Sequence, residues 1–296
     1  MDQTARFLDP KVLNKIARLD LRARLIVEGY ISGLHKSPYH GFSVEFAEHR
    51  EYTPGDDIRY IDWKVFGRTD RFYIKQYEEE TNLVAHLVLD VSESMDFGEG
   101  MTKLDYGRTV AAALAYLIVQ QQDAAGLITF DDEVRAHLPP GSHGSHLNAI
   151  FHTLSQVEPR KRTDLGRVLH EIAGTIQKRG LVVVVSDLFD DPARVLAGLQ
   201  NLAHRRHDVI VFHVMDQMEL EFPFERMTRF KGLEAMGDLI ANPRSLREGY
   251  LAEVNRFRRS INRGCTANRI DYVLMSTATP LDVSLSSYLA RRAGTR

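Results

Sequence analysis

The sequence predicts an α/β fold, a doubly wound and mostly parallel sheet with helices on both faces, preceded by a small N-terminal helix and β extension. Three observations carry this expectation. From residue 82 onward, short β-branched runs alternate with segments of helical period. One run, LVVVVSDL at 181–188, is apolar without alternation, as a strand covered on both faces must be. Asp90 and Asp187 close two of these runs, where parallel strands of this class present their ligands.

Taken in order, NLVAHLVLD (82–90) is the opening strand, and LDYGRTVAAALAYLIVQQQ (104–122) a helix with Leu104, Ala111, Leu114, Leu117 and Ile118 on one face. AAGLITF (124–130) and EVRAHL (133–138) read as strands, and 146–157 as a helix. The helix at 164–180 places Leu165, Val168, Leu169, Ile172, Ala173 and Ile176 together and is expected to stop at Gly180. After 181–188 come a helix (192–206), a strand (208–215), a helix (243–263), a strand (271–278) and a last helix (281–292). Strands separated by helices imply right-handed crossovers and a parallel sheet. An excursion at 220–237 interrupts the alternation and reads as a hairpin.

Residues 1–81 are expected to be separate from a main domain at 82–296. A basic amphipathic helix (about 10–30) precedes alternating apolar and polar residues with turn signals at Pro54-Gly55 and Gly67. Within this part, Asp56, Asp57 and Asp62 of GDDIRYIDW could form a second cation site. The favoured reading pairs them with Arg50, Arg59 or Arg68, with Trp63 as an apolar anchor.

The bulk numbers exclude several classes. Hydrophobic content of 44% and charged content of 26% are those of ordinary globular proteins. A net charge of −2 argues against a dedicated nucleic-acid binder, although basic runs occur at 11–24 and 256–263. The single Cys265 leaves no intrachain disulfide or thiolate cluster and suits a reducing compartment. No stretch reaches the roughly 20 apolar residues of a membrane span. The N-terminus lacks a signal-type apolar core, so a cytoplasmic location is expected.

Two stretches fit Asp-x-Ser-x-Ser: DVSESM at 90–95 and DVSLSS at 282–287. One carboxylate and two hydroxyls suit a hard divalent cation, Mg²⁺ before Mn²⁺ or Ca²⁺. Serines there also cap turns and helices, and that alternative stands for each residue taken alone. The second copy follows Thr279 and Pro280, which read as the start of a helix. In a helix Ser284 would point away from Asp282 and Ser286, so the three cannot converge. The first copy lies in a loop after a strand, which obeys no such period. Thr163, before the helix at 164, and Asp187, at the end of the valine strand, could join Asp90, Ser92 and Ser94 at one rim.

This combination, D-V-S-E-S-M after a strand, T-D-L opening a helix and V-V-S-D closing a strand, resembles the von Willebrand factor A-type fold. The resemblance implies a metal-ion-dependent adhesion site in which Asp90, Ser92, Ser94 and Thr163 ligate, with Asp187 acting through water. A partner's acidic side chain would complete the metal. Upstream, Arg50, Tyr52, Gly55, Asp56, Asp57, Arg59, Ile61, Asp62 and Trp63 resemble the signature of the bacterial family called domain of unknown function fifty-eight. That similarity spans about 10–292. It implies a protein-interaction module beside a MoxR-type AAA+ ATPase, in protein remodelling or complex assembly. Related domains often carry small residues before the metal-site threonine, where this chain has Lys161 and Arg162. Cations there weaken a metal if they point inward, and could pair with the acidic partner if they point outward.

An enzyme is the main rival. Aspartyl phosphatases need a second carboxylate two residues after the first, where Ser92 stands, and no Gly-x-Ser-x-Gly elbow is present. A metal-dependent hydrolase remains the alternative function, and RNA binding through the basic helix a weaker one. The expectation is a binding protein, neither an enzyme nor a nucleic-acid binder.

Overall fold

The computed structural model describes residues 43–53, 63–69, 71–80, 83–159, 164–230, 237–285 and 288, with Leu19 and Ala23. The described residues fall into two compact units, one within 36–83 and the other comprising the remainder. This division differs from the expected 1–81 and 82–296, because Leu19 and Ala23 are buried in the core of the larger unit.

In the smaller unit, strands β1 (Ser43–Glu51) and β2 (Tyr73–Glu80) pair antiparallel, with helix α1 (Trp63–Thr69) between them in sequence. Phe66 and Phe72 stack at 4.4 Å between ring centroids. The Trp63 ring meets Phe66 edge-on and is 63% exposed. Asp56, Asp57, Arg59 and Asp62 lie outside the described residues.

The larger unit contains β3 (Val84–Asp90), α2 (Lys103–Gln120), β4 (Ala124–Phe130), β5 (Val134–Gly141), α3 (Gly144–Gln156), α4 (Leu165–Thr175), β6 (Leu181–Ser186) and α5 (Pro192–His204). It continues through β7 (Asp208–Met215), α6 (Gln217–Glu221), β8 (Thr228–Phe230), β9 (Leu239–Ala241), α7 (Pro243–Ala267) and β10 (Asp271–Ser276). A six-stranded sheet has the order β10-β7-β6-β3-β4-β5, parallel throughout except for the edge strand β5. β5 runs to Gly141, beyond the expected 138, and includes Pro139 and Pro140. An edge strand tolerates prolines because one side needs no ladder donors.

Successive residues of the central strands feed opposite faces. Leu87, Leu89, Val183 and Val185 join the cluster that includes α2 and α3, whereas Val88, Val182 and Val184 join that of α4, α5 and α7. A strand buried on both sides has no polar position to spare, which explains the continuous apolar run. The sequence reading therefore gives the fold class correctly.

Boundaries differ where packing outweighs local pattern. Helix α4 ends at Thr175 rather than Gly180, because Ile176 turns extended and buries its side chain. Gly180 instead marks a close approach: a Cβ there would meet the carbonyl oxygen of Val84 on the neighbouring strand. The expected hairpin at 220–237 lies later, as β8 pairs with β9, and a short helix (α6) precedes it. The second Asp-x-Ser-x-Ser copy is helical over 281–285, as expected, and Ser284 Oγ receives a hydrogen bond from Tyr106 at 3.3 Å. Ser286 lies outside the described residues.

At the sheet's other end, burial, then the nearby charges of His207 and His137, push the His86 imidazole down to about 4 from 6.5. The folded value lies below the unfolded one, so the native state binds fewer protons. The associated stability is intact above pH 6.5 and is lost as pH falls toward 4. Urea titrations at several pH values should show a loss of up to about 1.4 kcal/mol per pH unit from this residue in that window. His86→Leu should flatten the slope, and an unchanged slope would assign the acid sensitivity elsewhere.

Candidate functional site

The sheet order places the site. From β3 the chain crosses through α2 to β4 on one side, and from β6 through α5 to β7 on the other. β3 and β6 are neighbours, so the carboxyl ends of these two strands flank the topological switch point. Asp90 ends β3 and Asp187 follows β6.

Asp90 is 1% exposed. Its Oδ1 accepts from the Ser92 amide at 3.0 Å and its Oδ2 from Ser186 Oγ at 2.6 Å. These bonds fold the loop back, so that Ser92 Oγ and Ser94 Oγ stand 3.1 Å apart. Ser92 precedes a single 3-10 turn, Glu93–Asp96, but its side chain makes no capping bond. The simple capping alternative therefore does not describe it. The Ser94 hydroxyl is close enough to Asp187 to favour its ionised form, and Asp187 Oδ1 accepts from the Phe189 amide at 3.1 Å. The structure thus brings Asp90, Ser92, Ser94 and Asp187 together. Thr163, Lys161 and Arg162 lie outside the described residues.

A buried lysine completes the arrangement. Lys103, 3% exposed, donates to Asp187 Oδ2 at 2.7 Å and to Glu219 Oε1 at 2.7 Å. Glu219 is held in turn by the Asp216 amide, in a capping box that starts α6. Sequence reasoning missed both residues, although each left a signal. Lys103 is the first residue of α2, where a cation opposes the helix dipole and needs some other reason to be there. Asp216 and Glu219 have the D-x-x-E spacing of a helix start.

The electrostatics divide the two central carboxylates. Burial, then the charge of Asp187, raises Asp90 to about 7, despite the hydrogen bonds from Ser186 and Ser92. Burial also works against ionised Asp187, but Lys103 outweighs it and holds that carboxyl below its ordinary range. For Lys103 itself, desolvation is outweighed by Asp187 and Glu219, and its pKa is raised. Among the described residues, Asp90 is accordingly the carboxylate of this pair without a matching positive charge.

The backbone stores strain beside these groups. Leu188 is buried at φ 56°, a conformation that costs a bulky residue of order 1 kcal/mol or more. Its amide bonds Ser186 Oγ at 2.8 Å, which fixes the bend. Phe189, next along, is 58% exposed.

The donor set fits a hard cation. Ligands at about 2.0–2.1 Å in an octahedron lie about 2.9 Å apart when adjacent, close to the Ser92–Ser94 separation. Among the described residues, no group of three or more His, Cys, Asp or Glu could hold a metal. An ion held here by described residues would take the hydroxyl oxygens of Ser92 and Ser94 beside the Asp90 carboxylate.

A family profile described as "Protein of unknown function DUF58" matches residues 48–260. The chain belongs to the DUF58 family. An uncharacterized protein of Mycobacterium tuberculosis is similar to this DUF58 chain, with 29% identity over 73% of the chain and 68% of the relative. Among solved structures, BatB from Bacteroides thetaiotaomicron is 16% identical over 72% of the chain and 99% of its own, with a TM-score of 0.47. The SpRpn10 VWA domain is 13% identical over 71% and 95%, with a TM-score of 0.40. Among the described residues of this DUF58 protein, no helix is long and apolar enough to cross a membrane.

Proposed function

We propose that this DUF58 protein is a metal-dependent protein-interaction module, with the loop after β3 as its adhesive. The observation that carries the reading is the convergence of Ser92 Oγ, Ser94 Oγ and Asp187 around an under-compensated Asp90 at the switch point. Asp90, Ser92 and Ser94 would hold the ion, with Asp187 supporting it and Thr163 contributing from the loop before α4. A bound Mg²⁺ would supply a Lewis-acidic site for a carboxylate. Mn²⁺ or Ca²⁺ would serve by the same oxygen chemistry.

The chain's own residues do the rest. Ser186 and the Ser92 amide orient Asp90, and Lys103 keeps Asp187 ionised and in place. The exposed ring of Phe189 offers apolar surface two residues after Asp187. Such a site captures an acidic side chain of a protein partner and turns nothing over. By the family resemblance, the partner would be a MoxR-type AAA+ ATPase or its client, in the cytoplasm. The buried Cys265 thiol, pushed up to about 12 by its burial, suits a reducing compartment.

The test is a pull-down with wild type and Asp90→Ala, in Mg²⁺ and in EDTA, read by mass spectrometry. Partners should appear with wild type in Mg²⁺ alone. Partners retained in all four conditions would overturn the reading, and RNA recovered with a steep salt dependence would favour the nucleic-acid alternative.

A further inference from the structure

The amino ends of three adjacent strands carry an exposed basic patch, at the opposite end of the sheet from Asp90 and Asp187. Strands β6, β7 and β10 are neighbours, and each is entered through a short connection from a helix. These connections hold Lys178 and Arg179 before β6, Arg205 and Arg206 before β7, and Arg269 before β10, all exposed. The Asp208 amide donates to the Gly180 carbonyl at 3.0 Å, so the first two connections touch. The third lies one strand spacing further on, about 4.8 Å. None of the five cations forms an ion pair among the described residues.

Helix ends explain only part of this patch. A cation in the last turn offsets the helix dipole, an effect that falls off within that turn. Arg206 and Arg269 lie beyond the C-caps of α5 and α7, in the left-handed region at φ 66° and 57°. Glycine is the usual residue there, because a side chain strains that conformation. Two arginines at one rim thus occupy positions that their own backbones disfavour.

Charge and chemistry choose the ligand. Asp208 and Asp271 open β7 and β10, so five cations against two acids give the patch a net +3. The chain as a whole is −2, which leaves −5 for everything else. An extended polyanion would reach past the patch into that negative remainder, whereas a short acidic segment ends within it. The three connections contain no Phe, Tyr or Trp on which bases would stack. None of the exposed large hydrophobic residues lies there to enter a bilayer. Four of the five cations are arginines, whose planar forks match carboxylates.

We propose that this patch docks a short acidic segment of a protein partner through carboxylate–guanidinium pairs. It is a second contact surface, separated from the Asp187 rim by the six residues of β6, or about 20 Å. It takes carboxylates without a metal, so it does not rest on the metal-site reading.

The experiment is a fluorescence-anisotropy titration of labelled octaglutamate with the full chain in EDTA, which keeps any metal-held carboxylate out of the signal. Saturable binding that weakens with salt is expected, and octaglutamine should not bind. Arg206→Gly with Arg269→Gly should weaken octaglutamate binding about fivefold. Glycine suits both left-handed positions, so this variant should melt no lower than wild type. Arg226→Ser with Arg244→Ser removes the same charge elsewhere on the surface and should leave binding unchanged. Equal losses in the two double variants, or no saturable binding of octaglutamate, would overturn the proposal. So would tighter binding of an oligouridylate of matched length, or sedimentation with phosphatidylserine vesicles that the glycine pair abolishes.

Discussion

Lys103→Met is expected to lower the unfolding free energy by about 3–5 kcal/mol, the usual consequence of removing one partner from a buried ionic group. The lysine is 3% exposed and lies 2.7 Å from each of two carboxylates. Methionine keeps most of the volume, so little of the loss would come from a cavity. What remains is Asp187 buried beside Asp90 with no cation between the strands and α6. Glu219→Gln in the Lys103→Met background should recover part of the loss by removing a second unpaired charge. Urea unfolding of the two variants measures both effects. A Lys103→Met midpoint equal to that of wild type would mean that the network contributes nothing.

The second large effect belongs to Asp90. Its carboxyl is raised to about 7 because burial and Asp187 oppose its charge, and a divalent cation would relieve both. An ion that binds only the folded state stabilises it by about 2.7 kcal/mol at 100 times its dissociation constant. For a domain of this size that corresponds to roughly 5–10 °C in melting temperature. Asp90→Ala should lose this increment entirely. Without metal, the variant should melt close to wild type, because removing the carboxylate removes a repulsion along with two hydrogen bonds.

Much of this was legible in the sequence, for identifiable reasons. The valine run at 182–185 could be read as a doubly covered strand because nothing else accommodates four successive apolar β-branched residues at that length. The two Asp-x-Ser-x-Ser copies could be separated because a helix fixes side-chain directions and a loop does not. Less visible were features created by tertiary contact. Nothing local shows that Gly180 answers to the backbone of Val84 rather than ending a helix. The hairpin was displaced because Phe222 ends α6 in a left-handed conformation at φ 47°, unusual for an aromatic residue. It is held there by its packing on Phe224, Phe230 and Tyr250. Lys103 was overlooked because a lysine at a helix start is ordinarily solvated. Only its distance of 2.7 Å from Asp187, 84 residues away, shows otherwise.

Four melting curves decide whether Asp90 holds a cation: wild type and Asp90→Ala, each in EDTA and in saturating Mg²⁺. Mg²⁺ is expected to raise the melting temperature of wild type by roughly 5–10 °C and to leave Asp90→Ala unmoved. Equal shifts in both proteins, or none in wild type, would contradict a cation held by Asp90, Ser92 and Ser94.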